Sequence, residues 1–203
     1  MPGLFVTFEG PEGAGKSTQV ELLRRALASS EPVVVREPGG TELGERIREL
    51  LLHDGHARAP AAEMHLFMAA RAEIVAAVVE PALRDGRLVI ADRYHDSTLA
   101  YQGGGRGIEA PWPAYFPRPD LTFLLDLPVA EGRRRQAAAG RAPDRLESES
   151  LEFHRAVMAA YRRLAAADPV RWVVLDARPP AGAVHDLVLG RLAPLWKGAV
   201  RSS

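Results

Sequence analysis

Apolar residues fall into two kinds of run along this chain. Five runs are short and continuous: Leu4-Phe5-Val6-Thr7-Phe8, Pro32-Val33-Val34-Val35, Arg87-Leu88-Val89-Ile90-Ala91, Leu121-Thr122-Phe123-Leu124-Leu125 and Arg171-Trp172-Val173-Val174-Leu175. They are too short for helices and rich in β-branched and aromatic residues, so they read as strands buried on both faces. Between them the apolar positions recur at helical spacing. The pattern predicts helices over Thr18 to Leu27, Glu42 to His53 (with Leu43, Ile47, Leu50 and Leu51 on one face), Ala61 to Leu83 (bent near Pro81), Ala130 to Ala139, Ser150 to Ala167 and Ala181 to Trp196. Asp92 to Gln102 reads as a loop and helix ended by Gly103-Gly104-Gly105, Asp54 to Ala59 as a polar break, and Thr41 as a helix cap.

Strands alternating with helices predict an α/β three-layer sandwich around a five-stranded parallel sheet. In such sheets ligands bind beyond the carboxyl ends of the strands. That rim gathers the loop after strand one, Arg36 to Thr41 after strand two, and Asp92-Arg93-Tyr94 after strand three. Residues 1–203 read as one domain.

Composition narrows the choice of function. Lys+Arg and Asp+Glu both number 26, so there is no broad basic footprint for nucleic acid. Cysteine is absent, which removes disulfides, thiolate nucleophiles and Cys-based metal sites. No basic-then-apolar leader opens the chain and no apolar run reaches membrane-span length, which predicts a cytoplasmic protein. Lysine occurs only at Lys16 and Lys197 and asparagine not at all. Thermophily or a GC-rich genome accounts equally for that bias.

The densest chemistry is Gly10-Pro11-Glu12-Gly13-Ala14-Gly15-Lys16-Ser17, which fits G-x-x-x-x-G-K-[ST] between a predicted strand and a predicted helix. Glycines let bare backbone approach an anion, successive N–H groups form a nest, and the helix N-terminus adds its dipole. Lys16 would reach the β- and γ-phosphates, and the hydroxyl of Ser17 would reach Mg²⁺; Thr18 follows in the helix. Asp92, at the tip of an apolar strand, reads either as a helix cap or as a carboxylate opposite Ser17 that holds Mg²⁺; beside the loop the second reading is favoured. Arg93 would grip phosphate bidentately. Arg133, Arg134, Arg135, Arg141 and Arg145 surround the small, breaker-rich segment Ala137 to Pro143. Residues 137–147 read as a flexible lid whose arginines close over phosphates; for any single one, a solvated helix face is the plainer reading.

Taken together these stretches resemble the bacterial thymidylate kinases, among the P-loop nucleoside-monophosphate kinases. The resemblance rests on Phe8 to Ser17, Arg36-Glu37-Pro38-Gly39-Gly40-Thr41, Leu66 to Arg71, Asp92-Arg93-Tyr94, Ser97 to Gly107 and Asp144-Arg145-Leu146-Glu147, in family order. It implies a P-loop fold and transfer of phosphate from ATP·Mg²⁺ to dTMP. By resemblance, Glu12 would accept from the deoxyribose 3′-OH, Phe67 would stack on thymine and Arg71 would donate to its O4. Thr98 and Gln102 would reach the base edge, Tyr101 would pack below the sugar, Glu37 would belong to the dTMP site, and Arg93 would bridge donor and acceptor phosphates. Some family members carry a basic residue where this chain has Gly13. The resemblance is therefore to the class with a catalytic lid arginine, Arg145 or Arg141. Arg135 would flank adenine, with Asp176-Ala177-Arg178 lining its pocket. A homodimer is also implied. Ile74, Val75, Val78 and Val79 suit either its face or the core.

Kinases for another nucleoside monophosphate or for a deoxynucleoside remain alternatives. A non-catalytic nucleotide switch is a third. It lacks support from a guanine-reading Asn-Lys-x-Asp motif, because Asn is absent.

Overall fold

A computed structural model of the chain describes residues 3–54, 56, 58–140 and 143–196. Five strands form one parallel sheet: β1 (Leu4–Glu9), β2 (Val33–Arg36), β3 (Leu88–Asp92), β4 (Leu121–Asp126) and β5 (Trp172–Asp176). Their order is β2-β3-β1-β4-β5, with Phe8 beside both Asp92 and Phe123. Each strand ends one residue beyond its apolar run. The polar terminal residues Glu9, Arg36, Asp92, Asp126 and Asp176 keep the ladder going at the rim where ligands approach.

Alternation along the strands splits the core. Val6, Phe8, Leu88, Ile90, Phe123 and Leu125 face α1 (Lys16–Ala26) and, later in the chain, α8 (Ala181–Leu192). The opposite face is covered by α3 (Pro60–Ile74), α4 (Glu80–Arg84) and α7 (Leu151–Ala167), while α2 (Glu42–Leu52) packs on α3. The short α5 (His95–Thr98) follows β3, and α6 (Val129–Ala138) follows β4. Thr41 caps α2 by accepting from Gly44 N at 3.0 Å, as the sequence suggested, and Ser150 caps α7 by accepting from Phe153 N at 3.0 Å. In α2, Ile47 and Leu51 are buried, whereas Leu43 and Leu50 face solvent.

Two helical runs depart from the sequence reading. The long run passes through a π-helical turn, Val75–Val79, placed just before Pro81. Proline leaves a preceding carbonyl without its usual donor, and the widened turn absorbs that mismatch. The helix begun by α5 does not stop at the glycines but continues as a π-helical segment through Leu99–Gly105. The glycines serve packing instead. A Cβ on Gly104 would come within 2.4 Å of Ala160 Cβ, and one on Gly105 within 2.5 Å of the Phe153 ring, both on α7. Ile74, Val75 and Val79 are core residues, with Val78 packed against them, so the core reading of that face holds.

Candidate active site

The rim beyond β1, β2 and β3 opens into a cavity of about 430 Å³. Its walls include Glu12, Gly13, Gly15, Lys16, Ser17 and Thr18 from the P-loop, with Glu37, Phe67, Asp92, Arg93, Thr98, Tyr101, Gln102 and Arg135. Fourteen of the residues singled out from sequence thus line one space. Arg36, Arg48, Ser97 and Leu52 line it as well, and the sequence reading gave none of them a role of its own.

The P-loop folds as its glycines require. Gly10, Gly13 and Gly15 have φ of 141°, 73° and 90°, a region that side chains disfavour. Gly13 has a second constraint: a Cβ there would lie 2.4 Å from the carbonyl oxygen of Gly132 on α6. The absence of a basic residue at this position is therefore built into the packing. Gly13→Ala is expected to push the loop off α6 and lower kcat/KM for the phosphate donor by about 10²-fold; steady-state kinetics check it.

Lys16 opens α1 with its ammonium nearly buried, donating to the carbonyls of Gly10 at 3.1 Å and Pro11 at 2.8 Å. Burial, then Arg93, pulls its pKa down, against Glu12, Asp92 and Glu9. Ser17 Oγ donates to Asp92 Oδ2 at 2.5 Å, so β3 and the P-loop meet through two hard oxygen donors.

Arg93 holds a left-handed backbone, φ 71°, just after β3. Its Nη1 donates to Gly10 O (3.2 Å), Ser97 Oγ (3.2 Å) and Tyr161 OH (3.3 Å). Its Nη2 pairs with Glu12 and reaches Tyr101 OH at 3.2 Å. Burial alone would raise the Glu12 carboxyl, but Arg93, Lys16 and the Tyr101 hydroxyl bring it to about 2. An acid among phosphate donors is tolerated because it has two cations of its own.

Behind Arg93 lies Glu9, which sequence reading gave no role. It is sealed from solvent and accepts from Tyr94 N (2.8 Å), Ser97 Oγ (2.6 Å) and Tyr161 OH (2.8 Å). Burial, then Asp96, pushes its carboxyl up to about 7. Ser97 and Tyr161 thus link Glu9 to Arg93. No sequence signal joins Glu9 to Tyr161, 152 residues away.

Arg71 is buried beside the cavity and not in its wall. Its Nε donates to Glu37 Oε2 at 2.7 Å, Nη1 to Thr98 Oγ1 at 2.9 Å and Nη2 to Tyr94 O at 3.1 Å. Thr98 stands between it and the cavity.

Arg135 Nη1 and Nη2 donate to the carbonyls of Ala177 (3.0 Å) and Arg178 (3.2 Å), joining α6 to the loop after β5, while Asp176 is exposed and paired with Arg178. Gly10, Pro11 and Ala14 belong to the loop without lining the cavity. Arg145 does not line it either. Its Nε donates to Leu51 O at 3.0 Å and its Nη2 pairs with buried Glu63. Arg141 lies outside the described residues.

A family model for thymidylate kinase matches residues 8–188. The chain belongs to the thymidylate kinase family. It is 50% identical over 207 residues to the thymidylate kinase of Thermomicrobium roseum, covering 98% of each chain. It is 47% identical over 209 residues to that of Pseudomonas fluorescens SBW25, covering 98% and 99%. The crystal structure of thymidylate kinase from Ehrlichia chaffeensis superposes with a TM-score of 0.74 at 30% identity, over 95% of this chain and 99% of that one. Family membership places the chain among ATP-dependent phosphotransferases and accounts for its five-stranded P-loop fold.

Proposed function

We propose that this enzyme transfers the γ-phosphate of ATP to dTMP, giving dTDP and ADP. The observation that carries this reading is the single cavity in which a P-loop and a second set of nucleotide-sized contacts face each other. The P-loop amides around Ala14 and Gly15 and the Lys16 ammonium receive the β- and γ-phosphates. The same ammonium donates to the Gly10 and Pro11 carbonyls, which hold it beside the loop. Phe67 stacks on the base, Thr98 and Gln102 meet its edge, and Arg71 acts through or beside Thr98 on O4. Tyr101 packs below the sugar, and Glu12 accepts from its 3′-OH. Glu37 holds Arg71 in place.

Arg93 stands between the two phosphate positions and offsets their repulsion as they approach. The acceptor phosphate is already ionised at pH 7, so no strong base is required. Ser17 and Asp92 would hold Mg²⁺. Their paired oxygens suit a hard cation that keeps most of its other ligands from phosphate and water; when bound it would neutralise charge on the ATP phosphates. Arg135 with the Ala177–Arg178 loop flanks the adenine side.

Residues 137–147 act as the lid of a single 1–203 domain, and a lid arginine supplies the remaining cation. Of the two candidates, Arg145 is committed to Glu63 and Leu51. The geometry supports Arg145 as the anchor of the lid's root, leaving Arg141 to reach the phosphates. Assembly as a homodimer in the cytoplasm belongs to the same reading. Among the described residues no helix is long and apolar enough to cross a membrane.

An ATP-coupled panel of dTMP, dUMP, AMP, CMP, GMP and thymidine tests the proposal. dTMP is expected to be the preferred acceptor. Preference for a purine monophosphate or for thymidine would overturn it, and ATP binding without transfer to any acceptor would favour a nucleotide switch.

A further inference from the structure

Gln102 is a neutral amide, and an amide can present either its carbonyl or its NH₂ to a ligand. In this structure the choice is made from behind. Glu63, in the first turn of α3, is 2% exposed and does not line the cavity. Its Oε1 accepts from Gln102 Nε2 at 2.9 Å. Its Oε2 pairs with Arg145 and lies 3.5 Å from Arg106 Nη2. Arg106 is itself fixed by Glu149 at 2.5 Å and lies over the Phe153 ring, 4.6 Å from its centroid.

Two arginines on one buried carboxylate keep it ionised. Burial alone would raise its pKa, yet Gln102, Arg145 and Arg106 bring it below the ordinary value. An ionised carboxylate only accepts hydrogen bonds. The Gln102 NH₂ must therefore face Glu63, which leaves the carbonyl for the cavity that Gln102 lines. Thr98 is polarised in the opposite sense. Arg71 has no acceptor, so Thr98 Oγ1 accepts from it at 2.9 Å and the hydroxyl proton is free for the cavity.

We infer that Glu63 is a positioning residue for acceptor selectivity. It locks Gln102 with its carbonyl outward, so that the wall offers a donor at Thr98 beside an acceptor at Gln102. That pair matches a pyrimidine with a ring N–H next to a carbonyl, the imide edge of thymine or uracil. It mismatches cytosine, whose ring nitrogen accepts and whose amino group donates. The same carboxylate holds Arg145, so the root of the lid and the reader of the base share one buried anchor. This inference rests on the acceptor site proposed above.

The test compares dTMP with dCMP as acceptors for the wild type, Glu63→Gln, Gln102→Leu and the double variant. Glu63→Gln keeps size and can still accept from Arg145. Its NH₂, however, can donate to a flipped Gln102. The ratio of kcat/KM for dTMP over dCMP is expected to fall roughly 10- to 100-fold, with KM for the acceptor rising and KM for ATP unchanged. The double variant should be no less selective than Gln102→Leu alone, because both changes remove one interaction. Unchanged selectivity in Glu63→Gln, or fully additive losses, would overturn the inference. If Glu63→Gln fails to fold, Glu63→Asp decides, because the shorter side chain withdraws the carboxylate from Gln102 Nε2: a fall in the same ratio supports the inference, and retained selectivity overturns it. A wild type that phosphorylates neither nucleotide would instead sink the underlying reading.

Discussion

Lys16→Ala is expected to cut kcat by about 10³-fold or more, with the fold intact. The ammonium sits among the Gly10 and Pro11 carbonyls, acceptors that water can satisfy once the side chain is gone. The cation is held within reach of the loop's anion nest, and burial already works against its charge. An incoming polyanion relieves that cost, so the lysine interacts more strongly as charge accumulates on the transferring group. Steady-state kinetics with circular-dichroism melting separate the two effects. Near-normal kcat in a folded variant would remove Lys16 from the mechanism.

Arg93 carries the second large expectation. Its guanidinium is shared among Gly10 O, Ser97, Tyr161, Tyr101 and Glu12, and it stands between the two proposed phosphate positions. Removing it deprives Glu12 of its strongest cation partner and leaves Ser97 and Tyr161 with only Glu9 and each other as partners. Arg93→Ala is expected to lose about 10³-fold in kcat and to melt at lower temperature. Arg93→Gly separates backbone from side chain, because glycine accepts the left-handed φ of 71° without strain. It should melt closer to wild type and still show the full loss of turnover. Arg93→Lys should rescue little, since an ammonium cannot reach so many acceptors in one plane. Wild-type kcat in Arg93→Gly would contradict the assignment.

The parts legible in the sequence are those written in local pattern. Five apolar runs announced the strands, and the spacing of Gly10, Gly13, Gly15 and Lys16 announced the loop between β1 and α1. Thr41 announced its cap. What the pattern misjudged was the role of glycine away from turns. Gly103-Gly104-Gly105 looked like a helix stop because glycine usually weakens helices, but Ala160 and Phe153 on a helix some fifty residues away need that space. Local propensity yields there to packing.

In the site, most residues that face the cavity came from motif and resemblance, whereas the carboxylates Glu9 and Glu63 behind them did not. Glu9 acts through Tyr161 and Ser97, and Glu63 through Gln102 and Arg145. These partners meet only after the sheet and α7 are assembled, and nothing in the spacing of the residues forecasts the meeting. Arg145 shows the same limit. The match to the family's lid motif made it a catalytic candidate, and nothing in that motif foretold that its side chain meets a buried Glu63 and the Leu51 carbonyl near the end of α2.

The most direct test of the central claim is a crystal structure with dTMP and a non-hydrolysable ATP analogue both bound. The account predicts the triphosphate against the amides of Ala14, Gly15 and Lys16, the pyrimidine stacked on Phe67, and the Arg93 guanidinium between the two phosphate groups. A triphosphate seated elsewhere, or a pyrimidine away from Phe67 and Gln102, would contradict it.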